Sequence, residues 1–565
     1  MSESGESADR PRSGPRHAAA RKRRRRWPWV LGVLALVIVV LVGGTGLYLW
    51  HLDREIKRIS VHHLHRVLNQ GAEVNTQNIL LVGSTSRCAL AVQNPSFGLC
   101  SEGVNGVNSD VIMILHLDPA TKTAALLSIP RDLFLPNARS TGPDKVDAAL
   151  AEGPSQLVQV IEEDFGIPIQ HYVELNFDSF AGVVQALGGV KMYFPEPVYD
   201  AETGLNIQTP GCTVLDGFQA LALVRARHLQ YKPPGVTTDD VADWPQDPES
   251  DLSRIRRDHE FLKVLGAAVA ARGLGNPLTD QSILASVAPQ LEVDSGFSLG
   301  DMLSLVLDFH SVSPATVPTL TLPVSVDESL SYYYQGYNYG NIEMTVDPQD
   351  QQVIDQVLGI SADTNSLTGE PLPLPSAVTV SVLNGTGLYQ QESDIGSALQ
   401  ADGFDLVGEG QADSQSSQSE TVVTYTAGDA EAQAAAQLVA RSLTGPVVMA
   451  PGQTADGATV TVVTGDGLAV VAAPTPATTP TAHRPARSPA PKAPARKAPA
   501  RKAPAHQASS TTTSTSTTST TAVPGATTTT TTPVTVEGFA APTSDDEPLA
   551  QFDPRSCTPS GGEGT

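Results

Sequence analysis

Seven basic side chains stand near turns or at the ends of apolar runs between residues 78 and 262: Arg87, Arg131, Lys145, Arg225, Arg227, Arg254 and Arg257. A guanidinium stays charged at any working pH, and its planar fork of donors matches two phosphate oxygens. Arginines that converge imply a polyanionic ligand, most simply a pyrophosphate. Three carboxylates from the same stretch, Asp110, Asp132 and Asp251, suit a divalent metal that bridges such a group. One of them could instead take the proton of an attacking hydroxyl. Phosphoryl transfer needs mainly positioning and charge neutralisation, and this residue set supplies both. No Walker A loop, Gly-rich kinase loop or Gly-x-Ser-x-Gly elbow occurs, so NTP-dependent chemistry and serine hydrolysis have no motif support.

These residues need elements to carry them. The runs 78–82 (NILLV), 111–117 (VIMILHL) and 123–129 (TAALLSI) read as buried strands. Asp118-Pro119-Ala120-Thr121-Lys122 is turn chemistry. A hairpin centred between Ala120 and Thr121 pairs Asp118 with Thr123 and, followed outward, brings Asp110 opposite Arg131. That pair reads equally well as structural or functional, although buried ion pairs are poor stabilisers. A strand at 172–177 precedes a helix to Leu187 with Asp178 as its expected cap, and 190–194 is another strand. The run 215–223 (LDGFQALAL) is helical with Asp216 as cap. An Arg225-x-Arg227 pair that converges on one ligand wants that helix to end near Ala222, because alternate residues share a face only on an extended chain. A last helix starts at Asp251 and breaks at Gly273. Arg254, Arg257, Asp258 and Phe261 fall on one of its faces, and for a helix taken alone the arginines read as a solvated charged face.

Composition sets the frame. The 565 residues hold 36 Lys+Arg and 60 Asp+Glu, a net charge of −24, which argues against a nucleic-acid partner. Yet residues 1–51 carry nine Lys/Arg against three acids. The uncharged run 27–50 that follows the cluster is long enough for one transmembrane helix. Its basic flank places residues 1–26 in the cytoplasm and the remainder outside, a single pass at the cell membrane. Residues 51–76 then read as a membrane-proximal linker, 77–360 as a dense α/β domain, 361–375 as a linker and 376–470 as a second, smaller α/β domain. Residues 471–565, Pro/Ala/Lys-rich and then Ser/Thr-rich, read as a disordered tail. Outside the cytoplasm disulfides persist. Cys88 and Cys100 suggest a local bridge, and Cys212 with Cys557 stays open.

Taken in order, NILLVGS (78–84), Arg87, NSDVIMILHLDP (108–119), LLSIPRD (126–132), Lys145, Gly188-Gly189-Val190, LDGFQALALVRAR (215–227) and DLSRIRRDHEFL (251–262) resemble the LytR-CpsA-Psr family. The segment VTVSVLNGTG (378–387) with SDIGSALQADGF resembles the LytR carboxy-terminal domain that often accompanies it. The resemblance implies an α/β/α sandwich with a central mixed sheet and a hydrophobic tunnel for a prenyl chain. It implies an enzyme that moves a glycopolymer from a polyprenyl-pyrophosphate carrier to peptidoglycan through a phosphodiester. Carried over by position, Arg87, Arg131, Arg225, Arg227 and Arg257 grip the pyrophosphate, with Lys145 assisting and Arg254 beside them. Asp110 helps hold Mg2+ (or Mn2+), Asp132 orients arginines, and Asp251 is the candidate for hydroxyl activation or a supporting role. Where the family commonly has a metal-binding Asp in Gly-x-Asp-x-Arg, Thr85 stands here as the second candidate ligand. Asn108, Asp147 and Asp258 also depart from the family pattern. The competing readings are a polyprenyl-pyrophosphate phosphatase, with water in place of the sugar hydroxyl, and a non-catalytic cell-wall binding or attachment protein. The Asn384-Gly385-Thr386-Gly387 turn of the second domain reads as a plain loop rather than a phosphate cradle.

Overall fold

The computed structural model describes residues 46–48, 50–62, 64, 76–85, 99–102, 106–271, 287–326, 331–412, 419–470 and 549–557. Arg87, Cys88, the basic segment 1–26, nearly all of the expected span 27–50 and residues 471–548 lie outside the described residues. Among the described residues no helix is long and apolar enough to cross a membrane.

The apolar runs become a seven-stranded mixed sheet. Its order is Lys57–Ile59, Glu292–Asp294, His171–Leu175, Gln77–Ser84, Ser109–Asp118, Thr123–Ser128, Thr319–Thr321. Strand side chains alternate between faces, and here both faces are covered, which is why the runs are apolar throughout rather than alternating. Leu80, Val82, Ile112, Ile114 and Leu127 enter one core with Leu157, Val158, Ile161 and Phe165 of the helix Pro154–Phe165 and Ile354 and Val357 of Gln349–Leu358. Ile79, Leu81, Leu115 and Leu117 enter the other, with Leu52, Ile56 and the helix Leu299–Phe309. Helices therefore flank the sheet on both sides. Each fully buried Leu or Phe contributes roughly 1.5–3 kcal/mol.

The hairpin takes the expected register: Asp118 pairs with Thr123 and Met113 with Ser128. Beyond the ladder the Ile129 amide still donates to Ile112 O at 2.9 Å, which keeps the two chains together as far as Asp110 and Arg131. A third core joins the helices Phe177–Ala186, Gly217–Val224 and Asp251–Ala271 with the strands Val190–Phe194 and Gly211–Leu215. The second domain has a five-stranded sheet, ordered Asp405–Gln411, Thr379–Asn384, Val460–Thr464, Thr421–Tyr425, Val447–Pro451. Its helices Gln391–Ala401 and Ala430–Ala440 pack on it.

Several boundaries differ from the expectations. The stretch 51–76 is not merely a linker, since Lys57–Ile59 forms the sheet edge and Leu52, Ile56, Val61 and Leu64 are buried. Residues 361–375 include a wedge between the two domains: Ser366 Oγ donates to Gly166 O at 2.7 Å, and its amide donates to Gln437 Oε1 at 3.1 Å. Asn176, not Asp178, caps the helix Phe177–Ala186, accepting from the Ser179 amide at 2.9 Å. Asp216 does cap Gly217–Val224, in a capping box with Gln219, but the helix runs on to Val224 and Arg225 is its last turn's cap.

The end of the expected disordered tail is folded. Arg555–Ser556 adds a strand to Val190–Phe194, and Cys557 is disulfide-bonded to Cys212. Phe552 stacks on Tyr231 with ring centroids 3.9 Å apart. Cys100 is also disulfide-bonded, and its expected partner Cys88 lies outside the described residues.

Candidate functional site

At one end of the sheet, side chains from five separate segments meet. Arg131 Nη1 donates to Asp110 Oδ1. Its Nη2 lies 3.3 Å from Asp147 and its Nε 3.6 Å from Asp132. Burial alone would lower the Arg131 pKa, but Asp110, Asp132 and Asp147 outweigh it and raise it. Asp132 accepts from Lys145 Nζ at 2.8 Å and from Arg227 Nη2 at 3.0 Å. Arg227 Nε stands 2.9 Å from Asp251 Oδ1. Arg254, almost fully buried, donates to Asp251 Oδ2 at 3.0 Å and to the backbone oxygen of Asp110 at 2.7 Å. Burial would raise the Asp251 carboxyl, yet Arg254 and Arg227 hold it below the ordinary range.

Arg131, Lys145 and Arg227 keep about a fifth to a third of their side chains exposed and are the cations within reach of a ligand. Arg225 joins them from the side, its guanidinium 4.3 Å from the centre of the Phe177 ring, a cation–π contact. Beneath lies a cavity of about 150 Å³ between the sheet and the three helices of the third core. Leu81, Met113, Val173, Phe180, Leu221 and Phe261 line its apolar walls, and Asp110, Arg225 and Asp258 its polar side. Gly83 also lines it; a Cβ there would meet Val111 Cβ at 3.0 Å, a tight contact that the neighbouring strand would have to relieve by a few tenths of an ångström.

Two expected site residues are placed otherwise. Arg257 is fully buried away from solvent. It donates to Asp247 Oδ2 at 2.7 Å, to Asp553 Oδ1 at 3.2 Å and to Ala226 O at 2.6 Å, so it braces the fold and presents no face to a ligand. The reading of Arg254 and Arg257 as a solvated face fails because both are buried, Arg254 on Asp251 of its own helix and the backbone oxygen of Asp110, Arg257 on Asp247, Asp553 and Ala226 O. Thr85 is buried, and its hydroxyl accepts from the Asn108 amide at 2.9 Å and donates to Asn108 O at 3.2 Å. Its proton and one of its two lone pairs go to closing two strands.

Three carboxyls here are pushed up by burial. Asp147 reaches about 6, against the opposing pull of Arg131. Asp258 reaches about 8, although Arg254 and Arg257 pull it down. Neither Asp258 oxygen accepts a hydrogen bond, and Arg254 Nη1 stands 4.0 Å off. Glu343 also reaches about 8, by burial and by the nearby charges of Asp251 and Asp132. With no cation bound, Asp258 and Glu343 are protonated near neutral pH, while Asp147 is mostly ionised there; the two protonated acids leave the cluster more cationic, which favours an anion. Glu343 is the residue that sequence reasoning missed. Its amide donates to Asp132 O at 2.9 Å, but it sits in the short strand Glu343–Thr345, with no local motif to mark it. In the second domain Asn384 Oδ1 accepts the amides of Thr386 at 3.1 Å and Gly387 at 2.9 Å. Those donors are spent within the turn, as a plain loop requires.

The chain belongs to the LytR-CpsA-Psr family: the LytR_cpsA_psr family profile matches residues 52–351. A second profile, described as LytR cell envelope-related transcriptional attenuator, matches residues 377–467. The chain is 32% identical to the probable cell wall biosynthesis protein LcpB of Corynebacterium glutamicum, over 55% of this chain and 66% of that protein, just under two thirds of its length. It is 29% identical to the polyisoprenyl-teichoic acid–peptidoglycan teichoic acid transferase TagU of Oceanobacillus iheyensis, over 43% of this chain and 77% of that one. Among solved structures, a LytR-Csp2A-Psr enzyme from Actinomyces oris matches with a TM-score of 0.37 and 24% identity, covering 48% of this chain and 88% of that chain.

Proposed function

We propose that this chain transfers a glycopolymer from a polyprenyl-pyrophosphate carrier to peptidoglycan and joins the two through a phosphodiester. The observation that carries the reading is the junction of an apolar cavity with a mouth where Arg225 and Asp110 stand, beside Arg131, Lys145 and Arg227. A molecule that is a hydrocarbon at one end and a polyanion at the other fits both halves. The similarity to LcpB, a probable cell wall biosynthesis protein, and to TagU, a polyisoprenyl-teichoic acid–peptidoglycan teichoic acid transferase, supports the same reading. The expected anchor at 27–50, with the catalytic domain outside the cytoplasm, belongs to this reading, because carrier and acceptor then meet at the membrane face.

The chemistry follows from the charges. An acceptor hydroxyl oxygen attacks the phosphorus that bears the glycan. A new P–O bond forms, the P–O–P bridge breaks, and polyprenyl phosphate leaves with the bridging oxygen. Arg131, Arg225 and Arg227 neutralise the charge that grows on the leaving phosphate. Asp132 fixes Lys145 and Arg227 against each other. The hydroxyl proton passes to a carboxylate of the cluster. Asp251 is a weak base because two arginines hold its pKa down. Glu343, at about 8, has the stronger affinity for a proton when ionised.

A divalent cation, Mg2+ or Mn2+, is part of the reading, and the residues can be tested for fit. Thr85 is the poorer fit as a ligand, since its hydroxyl brings no charge and its proton and one lone pair are engaged by Asn108. Asp110 and Asp258 do fit: both line the cavity, and the Asp258 oxygens are buried without hydrogen bonds. Two carboxylates plus phosphate oxygens are a usual set for Mg2+, which when bound supplies further charge neutralisation. The test is transfer of a radiolabelled glycan from a synthetic polyprenyl-pyrophosphate donor onto peptidoglycan. Joined label supports the reading. Release of labelled glycan phosphate into solution without joined label replaces it with hydrolysis of the pyrophosphate, a phosphatase-type reaction.

A further inference from the structure

The segment 549–557 is built as a clasp. Its backbone turns on itself, with the Asp553 amide donating to Ala550 O at 3.0 Å and the Ala550 amide to Asp553 Oδ2 at 3.0 Å. Arg555 Nη2 donates to the carbonyls of Ala550 and Gln551, each at 3.1 Å. The Ser556 amide donates to Glu260 Oε1 at 2.7 Å, on the helix that also carries Arg257. The disulfide to Cys212 and the stack of Phe552 on Tyr231 hold both ends.

The clasp delivers one carboxylate, that of Asp553, which has no exposure to solvent, and it reaches Arg257. The same guanidinium donates through its other terminal nitrogen to Ala226 O. Ala226 is the residue between Arg225 and Arg227, and these face the cavity and Asp132 respectively. We infer that Asp553 is a positioning residue for the Arg225–Arg227 turn, acting through Arg257 from the far end of the chain. Without the Asp553 charge the Arg257 guanidinium keeps Asp247 as its counter-ion but loses the second pull that fixes its orientation, and it can swing toward Asp247 or toward water. Either movement withdraws the donor from Ala226 O, and the turn loses the bond that fixes its carbonyl. The inference rests on the proposed function only in what the turn is for.

The experiment uses the whole extracytoplasmic chain with Asp553→Asn, which keeps the side-chain shape and removes the charge. Hydrogen exchange is followed at the amides of residues 224–231 and, as reference, in the strand Gln77–Ser84. Exchange of the turn is expected to quicken at least tenfold while the strand is unchanged, and Cys557→Ser should act in the same direction. Should Asp553→Asn fold poorly, Cys557→Ser serves as the second variant, because it frees the segment that carries Asp553 and leaves Arg257 paired with Asp247. Wild-type exchange of the turn in Asp553→Asn, or in folded Cys557→Ser, overturns the inference. Affinity for inorganic pyrophosphate is measured alongside and is expected to weaken about tenfold. A loosened turn with unchanged pyrophosphate affinity leaves the positioning role standing and counts instead against the reading of the site.

Discussion

Asp132 and Arg227 lie 95 positions apart in the chain, yet the guanidinium of one donates to the carboxylate of the other at 3.0 Å. Lys145 holds the second oxygen of the same carboxylate at 2.8 Å. One acid thus sets the spacing of two cations. Asp132→Asn should leave the fold intact and lower kcat/KM for glycan transfer by about 10- to 100-fold, the weight of one or two charge-assisted hydrogen bonds. Steady-state assays with a synthetic donor check this, and circular dichroism checks the fold.

Arg225 and Arg257 should separate into two kinds of variant. Arg225→Ala removes a cation that lines the cavity, and we expect transfer to fall about 100-fold or more with Tm shifted by only a few degrees. Arg257→Ala leaves Asp247 and Asp553 buried without their common partner. It should cost about 3–5 kcal/mol of stability, read by chemical denaturation.

Gly217 faces the backbone of the neighbouring helix. A Cβ there would sit 2.5 Å from Ala181 O and 2.9 Å from Ala181 Cα. Gly217→Ala should therefore destabilise by about 1–3 kcal/mol and reduce transfer, because the helix that ends at Arg225 must shift. A Tm equal to that of the wild type would contradict the packing described here.

Cation binding should track Asp258 rather than Thr85. With inorganic pyrophosphate present, Asp258→Asn should abolish saturable Mn2+ binding followed by electron paramagnetic resonance, whereas Thr85→Ala should retain it. The Thr85 variant should lose only about 1 kcal/mol of stability, from the bonds to Asn108.

Burial raises the carboxyl of Glu162 to about 8, although the Ile169 amide donates to it. The unfolded chain releases that proton near 4.5, so between the two values the folded state holds the proton more often. Stability from this group is therefore complete below about 4.5 and is lost as pH rises toward 8. Glu343 adds to the same slope. Glu162→Gln keeps an acceptor for Ile169 and should flatten the fall in Tm between pH 5 and 8, at a gain on the order of a few kcal/mol at the alkaline end.

Much of the fold was legible where local chemistry dominates. The Asp-Pro-Ala-Thr-Lys turn set the hairpin register, and with it the meeting of Asp110 and Arg131. The Asp216 cap placed the helix ahead of Arg225. What stayed hidden depended on contacts between remote segments. Arg254 and Arg257 are indistinguishable in sequence from surface arginines of a helix. Only Asp247, Asp553 and the Asp110 carbonyl, supplied from elsewhere, make them interior. Glu343 enters the site through one short strand, and no spacing rule ties it to Asp132. The cap at Asn176 was missed because two neighbouring residues, Asn176 and Asp178, are both competent, and the packing of Phe177 into the third core decides between them.

The bond between Cys212 and Cys557 spans 345 positions and turns more than half of the polypeptide into a covalent ring. A protease that cuts once after Val470 and before Leu549 would release nothing. The nicked molecule would migrate as a single species on a non-reducing gel and part into two pieces only after thiol treatment.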